Sequence, residues 1–134
     1  MGERTIEKSW YRNIKELIDR LNKLFDIEAV IIFGSWVRSG GGDWSDIDVL
    51  IIGNVNYLDP LERFRLVTEY KLPRMDVFLY TYEELKRMFE KGNPLAISAL
   101  VEGFFIKKSK RIEELAKKAK KCFIRRGRIW ISKC

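Results

Sequence analysis

The sequence contains no histidine. Acid–base chemistry near neutral pH therefore falls to carboxylates, Lys, Tyr or bound water, since histidine is the side chain whose unperturbed pKa lies in that range. Cysteine is nearly as scarce, with only Cys122 and Cys134. Their spacing matches no zinc pattern and a single pair makes no disulfide framework, so reduced thiols are expected. No apolar run approaches the roughly 20 residues that span a bilayer. The opening MGERTIEKSW has no apolar signal region. These absences predict a soluble, unsecreted, cytoplasmic protein with no membrane partner. Internal repeats, low-complexity tracts and interdomain linkers are also lacking.

What is present suits one domain. The chain has 134 residues, 46% of them hydrophobic, enough for a single modest core. The charged fraction of 34% is above the usual quarter and also occurs in heat-stable proteins. Net charge is +7, unevenly spread. From Gly103 to Cys134 there are 12 Lys and Arg against Glu113 and Glu114, or +10; the rest of the chain carries −3. A basic C-terminal arm on a near-neutral body points to a polyanionic or acidic partner, RNA among them. A solvated basic helix face is the plain alternative.

Apolar residues recur at helical spacing from Trp10 to Phe25, predicting an amphipathic helix over about 4–25. Ala29 to Phe33 reads as a buried strand that Gly34 ends. Residues 39–43 form a glycine-rich loop. Asp46 to Ile52 predicts a second strand and Arg74 to Tyr80 a third. Asp59 with Glu62, and Thr81 with Glu84, are capping boxes that open helices. Asn93-Pro94 starts another helix, to about Val101. Phe104 to Ile106 reads as a short fourth strand. Ile112, Leu115, Ala116, Ala119 and Phe123 define a last helix with a Lys/Arg outer face. Ile129 to Ile131 reads as either a short strand or a docking segment. The expected class is α/β: a small mixed sheet of three to four strands with helices mainly on one face. Residues 1–108 form the domain proper, and 109–134 a basic helix and tail packed on it.

Chemistry concentrates between Gly34 and Asp76. Residues two apart in a strand point the same way, so Asp46 and Asp48 set two carboxylates on one face. Such like charges repel unless a cation lies between them. Their hard oxygens suit Mg²⁺, which takes one or two carboxylates together with substrate phosphates. Asp76, inside an otherwise apolar strand, is the natural third ligand. Two metals about 4 Å apart can hold attacking and leaving oxygens for in-line phosphoryl transfer. Gly34 and Ser35 close the first strand and open a short helix, where backbone N–H groups and the Ser35 hydroxyl can meet phosphate. Arg38 either contacts phosphate or clamps the loop. Trp36 and Trp44, flanking that loop, either pack into the core or stack on a base.

The pattern Gly34-Ser35-x-x-Arg38, a loop, then Ser45-Asp46-x-Asp48 resembles the minimal nucleotidyltransferases of the DNA polymerase beta superfamily. Asp76 falls where that family places its third acid. Asn93-Pro94-Leu95 and Glu102-Gly103 resemble its C-terminal end, and the likeness covers roughly residues 5–108. Trp36 and Ser39 depart from the usual pattern, leaving the acids untouched. The resemblance implies a polymerase-beta-like nucleotidyltransferase fold and transfer of a nucleoside monophosphate, AMP from ATP, to a hydroxyl with two Mg²⁺ ions. It implies that Asp46, Asp48 and Asp76 bind metal, with Asp76 also activating the hydroxyl, while Gly34, Ser35, Arg38 and Ser45 hold the nucleotide. Small members are often antitoxins paired with a small all-helical toxin, and some adenylate a toxin tyrosine. The competing reading is a non-catalytic nucleotide-, RNA- or partner-binding module on the same fold.

Overall fold

The structure is a computed structural model that describes residues 2–38 and 46–134, with the side chains of residues 2–9, 36 and 38 left aside. Six helices and six strands are assigned among them: α1 (Gly2–Asn22), β1 (Ile27–Phe33), α2 (Ser35–Arg38), β2 (Ile47–Gly53), α3 (Pro60–Tyr70), β3 (Met75–Tyr80), α4 (Tyr82–Glu90), α5 (Pro94–Glu102), β4 (Phe104–Lys107), α6 (Lys110–Cys122), β5 (Phe123–Arg126) and β6 (Ile129–Ser132). None of these helices is long and apolar enough to cross a membrane.

β1 to β4 form one mixed sheet in the order β3-β2-β1-β4. β1 is antiparallel to both β2 and β4, and β2 is parallel to β3. β5 and β6 form a separate antiparallel hairpin. The helices lie on both faces of the sheet, contrary to the one-sided arrangement expected from sequence. Val30, Ile32, Val49 and Ile51 pack with Leu17 and Leu21 of α1 and Val67 of α3. Ile31, Phe33, Leu50 and Ile52 pack with Leu85 of α4, Leu100 of α5 and Leu115 of α6. The reason lies in the central strands. β1 and β2 are apolar at odd and even positions alike, so both faces must be covered.

Local chemistry sets the helix ends. Asp59 accepts from Glu62 N–H while Glu62 accepts from Asp59 N–H, and Thr81 and Glu84 do the same, so both expected capping boxes form. Asn93 caps α5 ahead of Pro94. Glu84 has a second task. Its Oε1 accepts from the buried Arg63, whose guanidinium also donates to the carbonyls of Val55 and Leu58. Burial opposes ionisation of Glu84, but the Thr81 N–H and Arg63 outweigh it and hold the carboxyl below its ordinary range.

The C-terminal arm is part of the core. Ile112, Leu115, Ala116 and Ala119 of α6 are buried. The hairpin packs through Phe123 and Trp130. Arg125 spans Glu102 in two hydrogen bonds of 2.7 and 2.9 Å and lies over the Trp130 ring. The tail segment around Trp130 is thus a strand. Cys122 and Cys134 form a disulfide, with Cα atoms 5.0 Å apart, where the sequence suggested free thiols. The antiparallel hairpin turns the chain back, and the main-chain bond from Lys133 N–H to the Cys122 carbonyl sets the end of β6 beside the end of α6.

Candidate functional site

Strand register brings the predicted acids to one rim of the sheet. Phe33 pairs with Asp48 across the antiparallel ladder, and Asp48 pairs with Asp76 across the parallel one. Neighbouring strands lie about 4.8 Å apart, so residues so paired stand side by side on one face. That face is the one covered by α4, α5 and α6, since Leu50 and Ile52 follow Asp48 into that core. The rings of Phe33 and Phe78, 5.8 Å apart, close the core beneath the acids. Asp48 is half-buried, whereas Asp46 and Asp76 are exposed.

Asp46 precedes β2 instead of lying in it, and β3 begins at Met75, one residue later than expected. Arg74 accounts for both limits. It adopts a left-handed backbone (φ 67°), and its carbonyl accepts from Ile47 N–H at 3.0 Å. A side-chain-bearing residue adopts this conformation at a cost, and here it ties the residues just before Asp76 to those just after Asp46. Sequence reasoning missed this residue. Left-handed backbone at arginine has no propensity signal, because only Gly, Asn and Asp adopt it readily.

Gly34 is built against Asp48. Its φ is +88°, and a β-carbon there would collide with the Asp48 carboxylate. Glycine is thus required twice, by conformation and by space. Ser35 follows, exposed, at the head of α2. α2 is a single turn, so its macrodipole is small, and an anion placed there would meet chiefly backbone N–H groups and the Ser35 hydroxyl. The Arg38 backbone lies in α2, but its side chain is outside the described residues. Ser45, the glycine loop, Trp44 and the Trp36 side chain are also outside them.

The donor set of hard carboxylate oxygens fits a divalent cation such as Mg²⁺ in chemistry. Among the described residues, no group of three or more His, Cys, Asp or Glu side chains is gathered tightly enough to hold a metal ion. The register therefore fixes neighbouring backbone positions for Asp48 and Asp76 without a closed cage of side chains.

Known proteins of the same fold place this geometry in context. A crystal structure from Sulfolobus solfataricus ascribed to a nucleotidyltransferase superimposes with a TM-score of 0.54 at 22% identity, covering 79% of this chain and 89% of that one. A toxin–antitoxin structure with AMP-PNP superimposes with a TM-score of 0.53 at 16% identity, covering 82% and 83%. No curated protein matches the chain by sequence. The model of the nucleotidyltransferase domain family matches residues 14–123, a stretch that contains Gly34, all three acids and α6. The chain therefore belongs to the nucleotidyltransferase domain family.

Proposed function

We propose that this protein is a Mg²⁺-dependent nucleotidyltransferase that moves AMP from ATP to a hydroxyl on a small helical protein, as the antitoxin of a two-component pair. The observation that carries the reading is the row of Asp48 and Asp76 in register at the sheet rim, with Gly34 pressed against Asp48. Carboxylates at neighbouring positions beside a glycine turn suit a bound cation, which relieves the repulsion between like charges.

Bound Mg²⁺ would supply charge neutralisation at the triphosphate. Asp46, Asp48 and Asp76 are the residues that would bind it. The N–H groups of the Gly34–Ser35 turn and the Ser35 hydroxyl donate to phosphate oxygens, and we assign Arg38 and Ser45 to the nucleotide as well. Asp76 accepts the proton of the acceptor hydroxyl. A bond forms from that oxygen to the α-phosphorus, the bond from the α-phosphorus to the bridging oxygen breaks, and pyrophosphate leaves. β3 is an edge strand, so Asp76 is reached from that side of the sheet. The likeness to a toxin–antitoxin structure with AMP-PNP supports a protein partner and an adenine nucleotide. A cytoplasmic placement accords with the disulfide if the protein works hot, since intracellular disulfides are common in hyperthermophiles.

Asp48→Asn tests this reading. Labelled ATP, Mg²⁺ and a candidate helical partner should give an adenylated product with wild type. The variant should lose about a thousandfold in rate, or about 4 kcal/mol of transition-state stabilisation. Mg²⁺-ATP should raise the melting temperature of wild type by mass action and that of the variant much less. Equal shifts would remove Asp48 from the site. A full shift in wild type with no transfer to any hydroxyl would make the protein a nucleotide-binding module.

A further inference from the structure

The two edges of the sheet are not alike. β4, at one edge, has four residues, ends in Lys107 and pairs with β1 in an irregular register. Shortness, lysine and irregular pairing are devices by which edge strands avoid further partners. β3, at the other edge, has none of them. It runs six residues, MDVFLY, in unbroken register with β2 and without proline or lysine. Its one charge is Asp76, at the rim. Among the described residues it pairs with β2 alone. Val77 to Tyr80 line one open hollow together with Phe64 of α3, and four consecutive strand residues can share a hollow only along the strand's edge. Next to that edge, Leu61 and Phe64 of α3 are 57% and 65% exposed.

The ladder leaves few main-chain groups open there. Ile47 pairs with Met75 and donates its N–H to the Arg74 carbonyl. Alternation along a parallel ladder then turns the main-chain groups of Asp76, Phe78 and Tyr80 towards β2, and those of Met75, Val77 and Leu79 outwards. Lys71 Nζ already donates to the Met75 carbonyl at 3.2 Å. Thr81, next in the outward series, already donates its N–H to Glu84 Oε1 at 2.7 Å. Val77 and Leu79 are left to pair with a further strand.

We infer that β3 pairs antiparallel with β3 of a second copy of this chain, about a twofold axis through Phe78. In that register Val77 of each copy exchanges both ladder bonds with Leu79 of the other, so every outward position still open is filled. A twofold centred on Val77 would need Met75, and one centred on Leu79 would need Thr81, and both are already engaged. Charge points to a second copy as the occupant. A twofold brings equivalent groups together at its centre, so a self-pairing surface must be neutral there. Here the centre holds Phe78, Val77 and Leu79, flanked by Leu61 and Phe64, in a chain with 34% charged residues. The axis stands perpendicular to the joined sheet and keeps both α3 helices on one face, so each exposed Phe64 is brought towards the other. Asp76 comes opposite Tyr80 of the second copy, with no like charge across from it. That tyrosine thereby walls the route to Asp76. The pairing itself does not depend on nucleotidyl transfer.

Sedimentation equilibrium of the full chain tests this. Wild type should show twice the mass of one chain at micromolar concentration. Phe64→Glu sets like charges against each other near the axis and should raise the dissociation constant at least about a hundredfold. Phe64 is exposed, so the variant keeps its core, and a melting curve verifies that it is folded. Phe104→Glu, on the exposed side of the other edge, should leave the mass unchanged. Asp76→Cys combined with Tyr80→Cys reads the register directly. Opposed residues without ladder bonds have Cα atoms about 4.5 Å apart, within disulfide range, so mild oxidation should link two chains. Within one chain the two positions are about 13 Å apart along the strand and cannot bridge. A wild type still monomeric at about 1 mM overturns the proposal. So does a dimer that Phe64→Glu leaves intact, and so does a dimer that the paired cysteines fail to link.

Discussion

At the sheet rim, main-chain pairing sets Asp48 beside Asp76, and the bond from Ile47 N–H to the Arg74 carbonyl ties the residue after Asp46 to the residues before Asp76. On the C-terminal arm the charges have the opposite sign. They stand on a helix whose other face is anchored by buried Ile112, Leu115, Ala116 and Ala119, by the Arg125–Glu102 pair and by a disulfide. The arm can be charged because its anchorage lies elsewhere on the same elements. The rim can be charged because hydrogen-bonded strands hold backbones at a fixed spacing whatever their side chains prefer.

The largest effect expected from separating the two regions is at the disulfide. Its loop is short, and closing it restricts the unfolded chain by about 3 kcal/mol. Cys134→Ser should lower the melting temperature by an amount matching that loss, and dithiothreitol should do the same to wild type. The shift caused by Mg²⁺-ATP should persist, because the rim does not depend on the bond. If that shift vanishes together with the disulfide, the regions are a single cooperative site.

Gly34→Ala is the reciprocal test. A left-handed alanine costs about 2 kcal/mol, and the new methyl must displace the Asp48 carboxylate. Transfer activity and Mg²⁺-ATP stabilisation should fall, while the Cys122–Cys134 disulfide of the folded variant stays formed. Normal activity in Gly34→Ala would show that the carboxylate next to it is free to move without consequence.

Glu28 ties the arm to the sheet at the end of β1 away from the acids. It lies on β1, and it accepts from Arg111 and from Ser109, which caps α6. Hydrogen bonding from Arg111 outweighs partial burial and holds the Glu28 carboxyl below its ordinary value of 4.5. The folded pKa lies below the unfolded one, so this link stabilises the protein above about pH 4.5 and is lost as pH falls through and below that value. Arg111 is half exposed, so solvent screening limits the contribution to about 1 kcal/mol. Glu28→Gln should therefore be less stable than wild type at neutral pH, by chemical denaturation, and the two should converge in acid. A constant difference across the whole range would assign the loss to packing instead of charge.

Periodicity, caps and composition were sufficient for the long helices and for β1 to β4, but not for β5, which takes Phe123 from the helix expected there. Apolar spacing marks the helices because burial acts residue by residue, and the two capping boxes are local hydrogen-bond patterns that need no partner from afar. Asp46 and Asp48 read as a pair only if both lie in one strand, and Asp46 falls just before β2. That both faces of the sheet are covered was written in the unbroken apolar runs of β1 and β2, although a period-two reading missed it. Tertiary structure alone decided the rest. The parallel register that sets Asp76 beside Asp48 depends on how far the chain travels through α3 before it returns. The left-handed Arg74 is paid for by its contact with Ile47, which lies 27 positions earlier in the chain and leaves no trace at Arg74 itself. Cys122 and Cys134 meet because the β5–β6 hairpin reverses the chain between them, and cysteine spacing by itself carries no record of that reversal.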